Sequence, residues 1–246
     1  MTPRLRDWLV VFVKAPSPGE VKSRMASLLS AEEACRLYRA LVRDTLAVVT
    51  RLRQAHPVVA YAANKEFPDV RWLGGTRSMF FQHGSTLGER LSQAFQWSFD
   101  QDARRVVVIG SDAPDLSPSW LRSAFKALAR WEVVVGPTTD GGYHLLGLTR
   151  PCPELLTGMP WSSPRLFDQT LQRTVQLGLS VRCLDAVADL DTPDDLRRYT
   201  ANPAVLRRKT QTARVLRQLR RRHVLDGLRR PDAAGVGARG QRVRSS

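Results

Sequence analysis

The sequence predicts an α/β sandwich, a mainly parallel central sheet with helices on both faces. Short runs rich in Val, Leu and Ile alternate along the 246 residues with longer stretches in which apolar side chains recur at helical spacing. Two of the runs, residues 8–13 (WLVVFV) and 106–109 (VVVI), lack the polar alternation of a half-solvated strand and read as buried on both faces. The second runs into Gly110-Ser111-Asp112-Ala113-Pro114-Asp115, so a carboxylate stands at a strand end, where parallel sheets place their ligands.

The first strand, residues 8–13, opens into a loop stiffened by Pro16, Pro18 and Gly19. Ser30-Ala-Glu-Glu33 has the form of a capping box, with Ser at the N-cap and Glu at N3. The stripe Ala34, Cys35, Tyr38, Leu41, Val42, Leu46, Val49 and Leu52 then predicts a helix whose apolar face, Tyr38 included, is core. Residues 58–63 (VVAYAA) and 78–82 (SMFFQ) are the next strands, joined by residues 64–77. A helix over 87–99 follows Gln82-His-Gly-Ser-Thr86. After the strand at 106, Ser117 and Pro118 are the N-cap and first residue of a helix reaching 130. Residues 132–137 (EVVVGP) and 144–148 (HLLGL) flank Thr138-Thr-Asp140-Gly141-Gly142-Tyr143, a tight turn whose glycines permit close backbone approach. Ser163 and Pro164 are expected to cap a helix over 165–177, and 180–184 is a last strand. Thr192-Pro193 opens a short helix in which Asp194 and Asp195 favour the helix dipole.

From Pro203 onward, apolar residues at 205, 206, 215, 216, 219, 224, 225 and 228 lie among arginines. That pattern predicts an amphipathic helix with a disordered Gly/Arg end from about residue 231. The net charge of +15 is concentrated here: 13 basic and two acidic residues follow Asn202, against 25 and 21 in residues 1–202. We therefore divide the chain into a body, 1–202, and a basic C-terminal helix and tail, 203–246. The tail can touch an anionic surface such as lipid or RNA, but it lacks interleaved aromatics for stacking on bases. No apolar run approaches the roughly 18 residues of a membrane span, and no signal-peptide cleavage pattern follows the first strand. Cys35, Cys152 and Cys183 are widely spaced and read as reduced thiols of a cytoplasmic protein. His56, His83, His144 and His223 have no partner at metal-ligand spacing and default to surface or satisfied polar positions.

Four groups of residues carry chemistry. Lys14, Lys22 and Arg24 stand on or beside the Pro18-Gly19 loop after the first strand, a setting suited to a polyphosphate, although a basic loop can simply be solvated. Arg90, in the first turn of its helix, can face a phosphate or base equally well as solvent. Asp112 is suited to a hard cation such as Mg²⁺, whereas Asp115 reads as a turn residue. Asp189 and Asp191 precede a helix and are available as further metal ligands; Asp140 would share the sheet edge with Asp112. No G-x-G-x-x-G follows the first strand and no G-x-x-x-x-G-K-[ST] occurs, which removes two common nucleotide-binding motifs.

The stretches VFVKAPSPGEVKSRM, LGERLSQAF, VVVIGSDAPDL, VVVGPTTDGGYHLLGL, PWSSPRLF and DLDTPDDL, in this order, span Leu9 to about Tyr199. With them the chain closely resembles the bacterial transferases of the radical SAM/selenodomain-associated type one group, within the nucleotide-diphospho-sugar transferase superfamily. The resemblance implies a GT-A (Rossmann-like) fold and a nucleotide on the first loop, held by Lys14, Pro18, Gly19, Lys22, Arg24 and Arg90. It implies Mg²⁺ or Mn²⁺ on Asp112 and Asp191. Gly141, Gly142, Tyr143 and Trp161 would line the donor-sugar or acceptor side. The chain departs from the group at Ala113, where a Cys is usual, and at Ser85-Thr86, where Gly-Asp is usual.

The expected chemistry is metal-assisted transfer of a glycosyl group from a nucleotide-sugar to an acceptor, with Asp140 as the base. The alternative is nucleotidyl transfer from a triphosphate to a phosphorylated small molecule, with pyrophosphate leaving; a non-catalytic nucleotide-binding protein is a third reading. Asp189-Leu-Asp191-Thr192 has the D-x-D-x-T form of haloacid-dehalogenase-type phosphatases, but those nucleophiles follow a first strand and this one lies near the end of the body.

Overall fold

The computed structural model describes residues 6–74 and 78–222. The expected disordered end, from about residue 231, lies outside the described residues. Among the described residues seven strands form one sheet: β1 (Asp7–Lys14), β2 (His56–Ala62), β3 (Met79–Phe81), β4 (Arg105–Ile109), β5 (Val133–Pro137), β6 (Tyr143–Leu148) and β7 (Val181–Cys183). Their spatial order is β3-β2-β1-β4-β6-β5-β7. All pairings are parallel except those of β6, which runs antiparallel to both β4 and β5. The predicted α/β sandwich with a mainly parallel sheet is the observed fold.

The helices are α1 (Ala31–Val49), α2 (Leu87–Asp100), α3 (Pro118–Ala127), α4 (Leu166–Gln176), α5 (Pro193–Thr200), α6 (Pro203–Arg207) and α7 (Gln211–Arg221). Strand alternation divides the interior into two cores. Leu9, Val11 and Val13 pack with Tyr38, Val42 and Leu46 of α1 and Leu121 and Phe125 of α3. Val10, Val106 and Val108 face the other way, onto Leu91 and Phe95 of α2 and Phe167 of α4. The capping boxes at Ser30/Glu33 and Thr192/Asp195 both form, and Ser117 accepts from the Trp120 amide with Pro118 at N1.

The strand order reverses between β1 and β4: β2 and β3 lie on one side of β1, and the rest of the sheet lies beyond β4. Arg105 grips Asp7 with two 2.7 Å hydrogen bonds at the opposite end of this pair, and the two residues are also register partners. Such a bidentate contact adds geometric specificity. It aligns β1 with β4, and therefore aligns the loops that leave their carboxyl ends.

Two local expectations are corrected. Ser163 does not cap α4; its hydroxyl accepts from the Arg165 amide at 3.2 Å, and the helix begins at Leu166. Two contacts explain the delay: Phe167 N–H donates to the Gly141 carbonyl at 2.9 Å, and Pro164 packs directly on Gly141. Among the described residues after Asn202 there are two helices instead of one. Arg208 is extended and Thr210 caps α7, while Asp44 of α1 accepts from the Gln211 and Thr212 amides at 2.8 and 2.7 Å. Val205, Leu216 and Leu219 bury against Leu37 and Leu41 of α1 together with Met25 and Leu190, making a third core behind the site loops.

Candidate active site

A cleft of 490 Å³ opens at the carboxyl ends of β1 and β4, where the strand order reverses. Ligands bind at such points in open α/β sheets because two loops diverge there and leave a crevice. Lys14, Lys22, Arg24, Arg90, Asp112 and Asp191 all line it, so six of the residues singled out in the sequence are brought together.

The loop after β1 is tied down from both sides. Tyr38 accepts from the Lys14 amide at 2.7 Å and donates to the Lys14 carbonyl at 3.2 Å, while Cys35 donates to Pro16. Asn64 reaches across to Ser17 and Glu20. Ser17 and Glu20 amides bond within the loop, so fewer backbone N–H groups are open to a ligand than the sequence suggested. Pro18 and Gly19 lie exposed at the bend and not among the lining residues; Gly19 has φ 84°, the left-handed region that glycine tolerates. Burial, above all, pushes the Tyr38 hydroxyl far above its usual pKa, so it stays protonated as a donor.

Lys22 is the centre of the site. Its side chain is 2% exposed, and its Nζ lies 2.6 Å from Asp112 Oδ1 and 3.4 Å from Asp191 Oδ1. Burial works to lower its pKa, but Asp112 and then Asp191 outweigh it and hold the ammonium above the usual lysine value. The backbone at Lys22 is left-handed, φ 54°, a conformation that costs a non-glycine residue about 1–2 kcal/mol. Arg24 takes the outer oxygen of Asp191 at 3.0 Å. Leu190 N–H donates to the Asp112 carbonyl at 3.0 Å and Asp195 accepts from the Asp191 amide at 3.1 Å, so the late acidic segment is fastened to the β4 loop and to the α5 cap. The acid pair thus converges as expected, with an internal ammonium between its members.

Arg90 projects into the same cleft and donates from Nε to the Gly84 carbonyl at 2.9 Å. Asp140 is elsewhere. Its Oδ1 accepts from the Thr138 hydroxyl at 2.6 Å and the Gly142 amide at 3.2 Å, closing the β5–β6 turn, and it does not line the cleft. Gly141 and Gly142 belong to that turn. Tyr143 is half-buried, with ring centres 6.3 Å from Trp161 in an edge-to-face contact, and Trp161 sits against Gly88 at the start of α2. None of these four is among the residues lining the cleft, whereas Ser162, next to Trp161, is.

Tyr38, Gln82 and Ser162 are lining residues that sequence reasoning missed. Tyr38 sits in an apolar stripe, but a tyrosine there always brings a hydroxyl needing a partner, which is the signal available. His144 departs from the expected surface or satisfied polar position: its side chain is 2% exposed, its Nδ1 lies 3.5 Å from Asp189 Oδ1, and its buried Nε2 has no hydrogen-bond partner among the described residues. Asp115 pairs with Arg208 at the α6–α7 junction. Among the described residues, no group of three or more His, Cys, Asp or Glu side chains is arranged to hold a metal ion, and no helix is long and apolar enough to cross a membrane.

Two carboxylates still fit a magnesium-type ion, which uses one or two protein carboxylates and completes its shell with water and phosphate oxygens. The donor chemistry is right, because Asp112 and Asp191 already hold one cation, the Lys22 ammonium, between them.

Residues 45–163 match a family described as an uncharacterized protein conserved in bacteria, DUF2064. A Desulfovibrio desulfuricans G20 protein, provisionally assigned as a nucleotide-diphospho-sugar transferase, has a crystal structure with TM-score 0.83 to this chain. The two are 31% identical over 91% of this chain and 98% of that one. CMP:2-keto-3-deoxy-manno-octonic acid synthetase, complexed with CTP, has TM-score 0.51 at 14% identity, covering 81% of this chain and 98% of its own. The 4-diphosphocytidyl-2C-methyl-D-erythritol synthase of Anaerococcus prevotii has TM-score 0.52 at 11% identity, covering 82% and 99%. No curated protein matches the chain. The α/β fold is thus that of the nucleotide-diphospho-sugar transferases, GT-A-like.

Proposed function

We propose, for a chain that belongs to the family of the Desulfovibrio protein, that it transfers a group from a nucleotide-linked donor bound in the β1–β4 cleft. The observation that carries this reading is the convergence of Lys14, Arg24 and Arg90 on the same hollow as the Lys22–Asp112–Asp191 cluster. Cations suit a polyphosphate and carboxylates suit a divalent cation, and both line one crevice at the switch point. The first form of the reading is glycosyl transfer from a nucleotide-sugar.

In that mechanism Lys14, Arg24 and Arg90 bind and orient the phosphates, and Tyr38 keeps the Lys14 backbone in place. Asp112 and Asp191 would hold Mg²⁺ or Mn²⁺. When bound, such an ion supplies positive charge against that developing on the leaving nucleotide. The edge-to-face contact of Tyr143 with Trp161 steadies the segment that brings Ser162 to the cleft. Rate enhancement comes mainly from positioning and electrostatics.

One observation favours nucleotidyl transfer as a second reading. Attack by an acceptor hydroxyl calls for a base, whereas an acceptor phosphate attacks already deprotonated. Asp140, the expected base, is engaged in its turn. The cleft acids among the described residues are also committed, Asp112 and Asp191 to Lys22 and Glu20 to Asn64. The two readings separate by product. With Mg²⁺ or Mn²⁺ present, nucleotide-sugars incubated with a panel of hydroxyl-bearing acceptors should release nucleoside diphosphate if the first holds, and triphosphates incubated with a panel of phosphorylated small molecules should release pyrophosphate if the second does. Absence of thermal stabilisation by every nucleotide, with and without metal, would remove both.

A further inference from the structure

Lys22 was expected to reach for phosphate, yet its ammonium is sealed between the two carboxylates that would hold a metal. The pairing is not incidental. Asp191 is 169 residues from Lys22 in the chain, the lysine backbone adopts a left-handed conformation to deliver the side chain, and almost none of that side chain meets solvent. Asp112, in contrast, keeps 40% of its side chain exposed toward the cleft. A buried ammonium and a divalent cation on the same pair of oxygens exclude one another, because like charges at contact distance in a poorly solvated site repel strongly.

Resting on the metal-dependent reading above, we propose that Lys22 is an internal counter-cation that holds the metal's place until a polyphosphate draws it away. Phosphate oxygens bound by Lys14, Arg24 and Arg90 offer the flexible lysine stem an alternative anion in the same cleft. Once the ammonium turns to phosphate, as Arg24 does from its 3.0 Å contact with Asp191, the Asp112 and Asp191 carboxylates lose the cations that neutralise them, which raises their affinity for a divalent cation. Polyphosphate and metal therefore bind cooperatively, and by linkage each raises the affinity of the other by the same factor. Without polyphosphate, the site is electrically complete and discriminates against free metal.

Mn²⁺ binding to the full chain, followed by the electron paramagnetic resonance of the free ion, tests this with inorganic tripolyphosphate as the probe. Wild type should bind Mn²⁺ weakly alone and at least about tenfold more tightly with tripolyphosphate. Lys22→Met should bind Mn²⁺ alone about tenfold more tightly than wild type and lose most of the coupling, while Lys22→Arg, which keeps the charge, should resemble wild type. Chelation of Mn²⁺ by tripolyphosphate in solution is common to all three proteins and cancels in the comparison. The rise in unfolding temperature on adding Mn²⁺ alone, larger in Lys22→Met or Lys22→Gln than in wild type, gives the same answer if a variant is only marginally folded. Folded Lys22→Met that binds Mn²⁺ no more tightly than wild type overturns the proposal and leaves the metal assignment standing. Failure of every protein to bind Mn²⁺, even with tripolyphosphate, overturns both.

Discussion

The ammonium of Lys22 lies 2.6 Å from Asp112 Oδ1, inside a loop that leaves β1 and against a carboxylate that leaves β4. This contact joins the two strands at the point where the sheet reverses its order. It also makes stability depend on alkaline pH. Lys22 has a folded pKa raised above its ordinary value of 10.5, so its contribution is complete below that value and is lost as pH rises through the folded one. Urea midpoints measured upward through this range should fall for wild type. Lys22→Met should be less stable at neutral pH and show a shallower fall.

Lys14 and Arg90 line the cleft without a carboxylate partner among the described ion pairs. Lys14→Ala and Arg90→Ala should each weaken nucleotide binding by about five- to tenfold, the loss of one charge-assisted contact worth about 1–1.4 kcal/mol. The effect should shrink as ionic strength rises, because Lys14 is exposed and screened. Isothermal titration at two salt concentrations is the measurement. Equal affinities for variant and wild type at low salt would remove these side chains from the phosphate site.

Gly141 has φ 88°, and a Cβ there would fall 2.0 Å from the Pro164 carbonyl oxygen. Neither backbone segment can give way cheaply, since Gly141 also accepts from Phe167 at the start of α4. Gly141→Ala should destabilise the protein by about 2–4 kcal/mol, combining left-handed strain with a backbone clash. Asp140→Asn, which keeps an oxygen acceptor for Thr138 and Gly142, should be tolerated in both stability and turnover. Loss of turnover in folded Asp140→Asn would restore this residue as the base.

What could be read in advance follows from distance along the chain. Capping boxes, proline starts and apolar strands are local patterns, and the Ser30/Glu33 box, the helix starts at Pro118 and Pro193 and β1 formed as expected, while the Thr192/Asp195 box, equally local, was overlooked. The Thr138–Asp140 contact was local too, two residues apart, and an acid so close to a hydroxyl and a glycine turn is a readable sign of structural duty. Lys22 between Asp112 and Asp191, and His144 beside Asp189, need strands and loops distant in sequence to meet, and no local pattern encodes that. The break between α6 and α7 escaped for a related reason. The leucines and arginines continue through it, and the termination comes from Thr210 and from Asp44 on a remote helix.

The third core makes the α6–α7 segment part of the site's support. Leu216 is fully buried with Met25, next to Arg24, and with Leu190, next to Asp191. Leu216→Ala should cost about 2–5 kcal/mol through lost burial and a cavity. Beyond stability, nucleotide affinity of the folded variant should fall, because both site loops rest on the same cluster. A variant that loses stability in denaturant titration and keeps wild-type nucleotide affinity would confine α7 to a scaffolding role.

Asp195 connects helix capping to the site through Asp191. Its Oδ2 accepts from the amides of Asp191 and Thr192 at 3.1 and 2.7 Å, and from the Thr192 hydroxyl at 2.8 Å. Burial would raise its pKa, but the hydrogen bonds from Thr192 and Asp191 and the Arg198 contact prevail and hold it below the ordinary 3.8. A carboxylate depressed in the folded state stabilises above its unfolded value, and that contribution disappears as pH falls through the folded one. Asp195→Asn should therefore lose about 1 kcal/mol at neutral pH, typical of a damaged cap, and show a flatter acid limb than wild type. It should also weaken metal binding at constant nucleotide, since the Asp191 backbone loses an anchor. Wild-type Mn²⁺ affinity in a variant with the expected stability loss would separate the cap from the site.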